Sequence, residues 1–383
     1  MNTKIKNIVN AIVFCVAVFG FAILCLVLPK PEFLDSERRP AAAFPTLNME
    51  TVMKDGLEYG DSFMKNFDDK YTPDNFPFRD FFRNLKSFVN TYVFNKSDKD
   101  GVYVVDGVAA EMQEKIEEDS IKHAAEKLTF IYEKYLKDKG ITPYFSIIPD
   151  KGYFLSEANG YLSMDYDEFI AQMLSNVEFV EYINIKDSLE VDDFYASDTH
   201  WRQEEIVKIA ELLVNGMGGN YSSTFEKKEL DVDFYGVYAG RSPKPLDPET
   251  IYYLTNENLE NVKVIDWENG GKQISLYDME KAHGKDAYDM FLSGELSKVT
   301  IENPNAKTDR ELVIFRDSYG RSILPLMVED YAKITVIDIR YQIPQILLMG
   351  VNFDNADVLF LYSTLILNNS SELKYGLFAL WAK

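Results

Sequence analysis

The chain has 383 residues, 46% of them hydrophobic, enough to bury a sizeable core and to exclude global disorder. Its formal charge of −22 argues against a nucleic-acid partner, which needs a basic face to neutralise phosphates, and against strongly anionic polymers. The two cysteines, Cys15 and Cys25, both lie near the amino terminus, so the rest of the chain carries neither a disulfide nor a Cys-based zinc site.

Ile8 to Leu28 is an apolar run broken only by Asn10. At about 1.5 Å per residue it is long enough to cross a bilayer. Lys4 and Lys6 precede it, whereas Lys30, Glu32, Asp35, Glu37, Arg38 and Arg39 carry both signs after it. This pattern predicts a cytoplasmic tip and transmembrane signal-anchor over 1–30, with everything after Pro29 outside. A cleaved signal peptide is the rival, but Cys25-Leu26-Val27-Leu28-Pro29 lacks the small residues of a cleavage site.

Residues 31–100 are expected to form a stalk and an aromatic amphipathic helix. Lys30 to Met49, rich in Pro, Ala and charge, reads as the stalk. Asp74-Asn75-Phe76-Pro77-Phe78-Arg79-Asp80 then opens the helix. Phe78, Phe81, Phe82, Leu85, Phe88, Val89, Tyr92 and Val93 recur at three- and four-residue spacing, which predicts one buried face. A core stripe is the expectation, ahead of a sugar platform.

From 101 to 383 the pattern is α/β. Val102–Val105 is a strand ending at the turn pair Asp106-Gly107. Ile121, Ala124, Leu128, Ile131 and Leu136 mark a helix stopped by Gly140. Tyr144–Ile148 is a buried strand, Phe169 to Leu174 a helix, and Phe179–Ile185 a further strand. Ile206, Val207, Ala210, Leu213 and Val214 mark the next helix. Residues 220–305, with Asn269-Gly270-Gly271 and isolated aromatics, break the alternation and are expected to be a cap or insertion over the sheet edge. Strands Leu312–Phe315, Ile334–Ile339 and Val358–Tyr362 follow, with helices over Ser322–Val328 and Pro344–Met349. Alternating strands and helices predict a mostly parallel sheet covered by helices on both faces.

Two segments carry the chemistry. Asp198-Thr199-His200-Trp201 offers a carboxylate two residues from a histidine, close enough in an extended segment to bond the ring and fix its tautomer. Alone, such a pair suits metal ligation or a surface contact equally well. Arg316-Asp317-Ser318-Tyr319-Gly320 lies between a predicted strand and a predicted helix, where a serine presents its hydroxyl at the carboxyl edge of a sheet. The alternative is that Asp317 or Ser318 merely caps the helix. Ser318 as nucleophile, His200 as base and Asp198 as its orienting acid form the candidate catalytic set, with amides near Ser318 available to an oxyanion. Trp201, Tyr319, Gly320, Arg316 and Arg340 are the candidate substrate-binding residues. Trp201 offers a wall to hold the imidazole or stack on a sugar, and Gly320 permits close backbone approach. Asp150, Lys151, Asp338 and Arg340 also end predicted strands and are expected to ring the same cleft. Arg316 and Arg340 either hold a substrate oxygen there or pair with Asp317 and Asp338.

Of the three histidines, His123 falls on a charged helix face and His283 in a lysine-flanked loop, so neither competes for the base. No spaced His cluster predicts a metal site and no Gly-rich loop predicts a cofactor; none is expected.

These segments resemble the bacterial DHHW proteins, relatives of the SGNH-hydrolase-like domains of alginate O-acetylation proteins of the AlgX and AlgJ type. The resemblance rests on Asp198-Thr199-His200-Trp201, with Thr where the namesake pattern has His, placed ahead of the serine turn. Asn75–Asp80, Gly101-Val102-Tyr103, Arg316–Gly320 and Asp338-Ile339-Arg340-Tyr341 also match, in order, across nearly the whole chain after the apolar run. It implies an SGNH-like α/β fold and carbohydrate O-acetyltransfer through an acyl-serine at the cell surface. The implied partners are a cell-surface polysaccharide or glycan and a multi-pass membrane acyltransferase that supplies acetyl groups. A glycan acetylesterase, or a non-catalytic glycan-binding or assembly protein of the envelope, is the alternative.

Overall fold

The computed structural model describes residues 3–34, 39–46 and 63–373. Much of the expected stalk, at 35–38 and 47–49, lies outside the described residues. The chain divides into two compact units, Met1–Lys99 and Asp100–Lys383.

In the first unit, helix α1 (Thr3–Val27) buries none of its side chains. It is long and apolar enough to cross a membrane or to serve as a signal sequence. Helix α2 (Arg79–Phe88) runs on through a π-helical stretch, Val89–Val93. Its start is tied down by Asp74 and Asn75: the Ala42 amide donates to Asp74 Oδ2 at 2.9 Å, and Asn75 Nδ2 donates to the Ala42 carbonyl at 3.0 Å. The aromatic face departs from the sequence expectation. Phe81, Leu85, Phe88 and Tyr92 are exposed, not buried. Helical periodicity identifies an apolar face but does not specify what covers it.

The second unit opens with a hairpin, Val102–Val105 against Val108–Glu111. Asp106 and Gly107 both have positive φ, 47° and 89°, the backbone that an Asp-Gly turn supplies with least strain. The main helices are α3 (Glu118–Ile131), α4 (Tyr166–Ser175), α5 (Val207–Gly216) and α6 (Gly320–Met327). The main strands are β1 (Tyr144–Ile148), β2 (Glu181–Tyr182), β3 (Lys263–Asp266), β4 (Lys272–Ile274), β5 (Lys298–Glu302), β6 (Glu311–Arg316), β7 (Lys333–Ile337) and β8 (Ala356–Ser363). They form an eight-stranded sheet in the order β4-β3-β5-β7-β6-β8-β1-β2. The five strands from β7 to β2 are parallel. β5, β3 and β4 extend the sheet antiparallel from β7. The 220–305 segment therefore supplies three strands to the sheet itself. The strand expected over Phe179–Ile185 is reduced to two residues, Glu181–Tyr182.

The fold is the mixed α/β architecture with a mostly parallel sheet that the alternation predicts. Successive residues of β6 serve opposite faces. Leu312 and Ile314 pack with Ile209 and Leu213 of α5 and Ile323 of α6. Val313 and Phe315 pack with Leu128 of α3 and Phe169 and Met173 of α4. A strand buried on both faces has no polar positions to spare, which is why β6 and β8 read as near-continuous apolar runs. Parallel register brings the carboxyl ends of β6, β7, β8 and β1 to one edge, with Phe315 opposite Ile337 and Ser363 opposite Ile148.

Candidate active site

Ser318 occupies the turn between β6 and α6 and stays partly exposed, while Asp317 and Tyr319 on either side are buried. The turn is built by Asp317. Its Oδ1 accepts the Tyr319 amide at 3.1 Å and its Oδ2 accepts the Ser363 amide at the end of β8 at 2.7 Å. Among the described residues the Ser318 amide itself has no acceptor. Gly320 is required by packing: a Cβ there would lie 2.8 Å from Cβ and Cγ of Arg316.

The acid and base come from a tight loop, closed by a bridge between Phe194 and Trp201 and by the Tyr195 amide donating to the His200 carbonyl at 3.0 Å. The sequence suggested an extended segment with Asp198 and His200 on one side. The backbone instead bends, and Asp198 Oδ1 accepts the His200 amide at 3.0 Å, an Asx turn that produces the same juxtaposition. Asp198 Oδ1 also lies 2.6 Å from His200 Nδ1, and His200 Nε2 lies 2.7 Å from Ser318 Oγ. The three residues thus form one hydrogen-bonded chain. Burial favours a neutral Asp198 carboxyl. It is outweighed by the adjacent His200 and by amide bonds from His200 and Val237, which hold the group well below the usual carboxylate range.

Asp198 is gripped from behind by Gly236–Tyr238. The Val237 amide donates to Asp198 Oδ2 at 2.8 Å, and the Tyr238 amide to the Ser197 carbonyl at 2.9 Å. A Cβ on Gly236 would fall 2.3 Å from Asp198 Cβ. Glu249 fixes the preceding residues, accepting from the Ala196 and Ser197 amides at 2.7 Å each. Above the base, Tyr288 stacks on the imidazole at 3.9 Å between centroids and donates to, or accepts from, Ser322 at 2.9 Å. None of Gly236, Val237, Glu249 or Tyr288 was singled out in the sequence. They come from the 220–305 segment, whose folding path no local periodicity encodes.

Trp201 and Tyr319, candidates for substrate contact, join the two segments to each other. Trp201 is fully buried, and its Nε1 donates to the Tyr319 carbonyl at 3.0 Å and to Ser322 Oγ at 2.9 Å. Tyr319 returns the contact, its hydroxyl donating to the Thr199 carbonyl at 2.6 Å. Arg316 and Arg340 meet at one carboxylate. Asp338, fully buried, accepts Arg316 Nη1 at 2.8 Å and a bidentate pair from Arg340 at 3.0 and 2.8 Å. Arg316 Nη1 also reaches the Asp317 carbonyl at 3.3 Å. Asp150 and Lys151 are buried too. Burial raises the Asp150 carboxyl against bonds from Thr364, Gly152 and Tyr166. Lys151 Nζ donates to the Tyr195 and Ala196 carbonyls at 2.6 and 3.1 Å, and burial pushes its amine down to about 7 despite Asp198, Glu249 and Asp150 nearby.

No family model and no curated protein matches the sequence. Solved structures do match. A DHHW family protein from Eubacterium siraeum superposes with a TM-score of 0.58 at 21% identity, over 72% of this chain and 95% of that one. Bacillus cereus PatB1 with a sulfonyl adduct gives 0.57 at 17%, over 72% of this chain and 99% of that one. The O-acetyltransferase domain of Pseudomonas putida AlgJ is among the structural neighbours at 0.43 and 13%, over 73% and 95%. The chain shares the mixed α/β fold of the DHHW and PatB1 structures.

Proposed function

We propose that the chain is a membrane-anchored carbohydrate O-acetyltransferase that works through an acyl-serine. The observation that carries the reading is the chain Asp198–His200–Ser318, with 2.6 Å and 2.7 Å between successive partners. Proton transfer needs hydrogen-bond reach, and a binding module has no need of it. His200 Nε2 takes the proton of Ser318 Oγ as that oxygen attacks the acetyl carbonyl. Asp198 holds Nδ1–H and stabilises the imidazolium. The Ser318 amide receives the developing oxyanion. The intermediate collapses as His200 returns the proton to the leaving oxygen, which leaves acetyl on Ser318. His200 then deprotonates a sugar hydroxyl, which attacks the ester and regenerates Ser318. Water in the sugar's place makes the same site an acetylesterase.

The choice of acetyl and of a glycan acceptor rests on the resemblance to the DHHW and alginate O-acetylation proteins that the Asp-Thr-His-Trp and serine-turn motifs carry. The acetyl donor is a multi-pass membrane acyltransferase on the same reading. Lys4 and Lys6 ahead of α1 favour a cytoplasmic amino terminus, which leaves the second unit extracytoplasmic. Trp201 and Tyr319 support the triad without touching substrate.

Incubation of the full chain in detergent with a sulfonyl fluoride, followed by mass spectrometry, tests the nucleophile. A single adduct on Ser318, with chromogenic acetyl-ester turnover lost in Ser318→Ala, is expected. Turnover that survives Ser318→Ala would overturn the assignment. Adding an oligosaccharide acceptor then separates transferase from esterase by the share of acetyl found on sugar.

A further inference from the structure

The aromatic helix α2 presents an apolar face that the described residues do not cover. Phe81, Phe82, Leu85 and Phe88 fall in one sector at 100° per residue, and their exposures run from 38% to 63%. Tyr92 continues the face, its ring 4.9 Å from that of Phe88. Arg83 and Ser87 lie on the opposite side, and Asn84 and Lys86 border the apolar sector.

Two features of this unit point to a lipid surface. First, α2 joins the apolar helix. Phe21 of α1 stacks on Phe76 at 5.7 Å, and Phe82 of α2 lies 5.9 Å from Phe21. Phe21 is six residues, or about 9 Å, from the end of α1 at Val27. That is the depth, about 5–10 Å, at which interfacial helices bury their apolar face. Second, the apolar residues are mainly aromatic, as suits the headgroup boundary.

We propose that α2 is an interfacial helix, lying along the membrane that α1 crosses, on its non-cytoplasmic side. Phe81, Leu85 and Phe88 enter the acyl boundary, and Lys86, at the edge of the sector, stays among the headgroups. The inference rests on α1 being an uncleaved anchor.

The test uses the full chain with Cys15→Ser and Cys25→Ser, carrying one new cysteine by Phe81→Cys, Leu85→Cys or Ser87→Cys. Each is labelled with the environment-sensitive fluorophore NBD and reconstituted into phosphatidylcholine/phosphatidylglycerol vesicles. Thermal melts matching the parent establish that each variant folds. The expected result is blue-shifted emission at positions 81 and 85, quenched by brominated lipid and not by aqueous iodide, with the reverse at 87. Iodide quenching at all three positions would overturn the proposal. Protection at 81 and 85 from both quenchers would also overturn it, in favour of a protein partner or a second copy. Release from vesicles by alkaline carbonate would show that the anchor reading itself fails. Retention with iodide-quenched 81 and 85 would sink only the interfacial helix.

Discussion

The ring of Tyr288 lies flat on the imidazole of His200, centroids 3.9 Å apart and planes 10° from parallel. Two hydrogen bonds fix the edges of that imidazole, and the stack fixes its face. Tyr288 is itself held through Ser322, which also receives Trp201 Nε1. Base, nucleophile turn and inserted segment thus share one packed unit.

Tyr288→Ala should let the imidazole swing and lower kcat on an acetyl ester by about 100-fold, the order expected for a displacement near 1 Å. Tyr288→Phe keeps the stack and loses only the bond to Ser322, so it should retain most activity. Steady-state rates for both variants decide the matter. Equal losses would mean that the hydroxyl acts and the stack does not.

Asp198→Asn should cost about 10⁴-fold in kcat, because an amide favours the wrong tautomer of His200. The carboxyl sits below its ordinary value of about 3.9 in the folded chain. A depressed carboxyl contributes stability that is present above that ordinary value and lost as pH falls through the lower folded one. The urea-midpoint gap between wild type and Asp198→Asn should therefore persist at pH 5 and shrink below about pH 4. A gap already gone at pH 5 would contradict this.

Gly236→Ala should damage the site from outside it. The added methyl has no room beside Asp198 Cβ and the Ser197 carbonyl, each 2.3 Å away. Backbone must move, and the Val237 amide would leave Asp198 Oδ2. Activity should fall by about 100-fold or more. Turnover within twofold of wild type would mean that the loop relaxes without moving the acid.

Much of this arrangement was legible because it is local. An Asp two residues before a His can close an Asx turn, and a serine after an apolar run ends a buried strand, whatever the rest of the chain does. The parallel strands were legible for the same reason: Leu312–Phe315 and Val358–Tyr362 have no polar face to offer solvent. The antiparallel strands were not. Lys263–Asp266 and Lys298–Glu302 are short and polar at both ends, and they pair only because β7 is already in place. Gly236, Glu249 and Tyr288 reach the site by tertiary routing. Trp201 and Tyr319 were found, but an aromatic beside a catalytic residue reads alike whether it faces substrate or core. Burial distinguishes the two, and burial is a property of the fold.

Arg316 separates a cleft role from a structural one. It is 1% exposed, its partner Asp338 is fully buried, and its Nη1 reaches the carbonyl just before Ser318. Arg340 keeps its bidentate bond to Asp338 when Arg316 is removed, so the loss is one charge-assisted hydrogen bond, about 1.5–3 kcal/mol, together with the packing of a buried side chain. Arg316→Ala should lower the melting temperature by on the order of 10 °C. Turnover per folded molecule, measured well below that temperature, should change less than in Asp198→Asn. An unchanged melt with lost turnover would place the guanidinium on the substrate.

Lys151 should mark itself by alkaline pH. Its amine is buried and pushed down to about 7, and it faces two carbonyls, of Tyr195 and Ala196, on the loop that leads to Asp198. A neutral amine has two N–H groups, one for each carbonyl, so the loop stays tied without a buried charge. In the unfolded chain the same amine keeps its proton to about pH 10. Between these values the unfolded state binds more protons, so the contribution of this residue to stability rises with pH, by about 1.4 kcal/mol per pH unit. It is complete above about pH 10 and lost as pH falls through 7. Lys151→Met removes the titration along with the two bonds. The gap in urea stability between wild type and Lys151→Met should therefore widen from pH 7.5 to 9.5. Parallel curves over that range would show that the amine stays charged in the fold, held by Asp198, Glu249 and Asp150 against its burial.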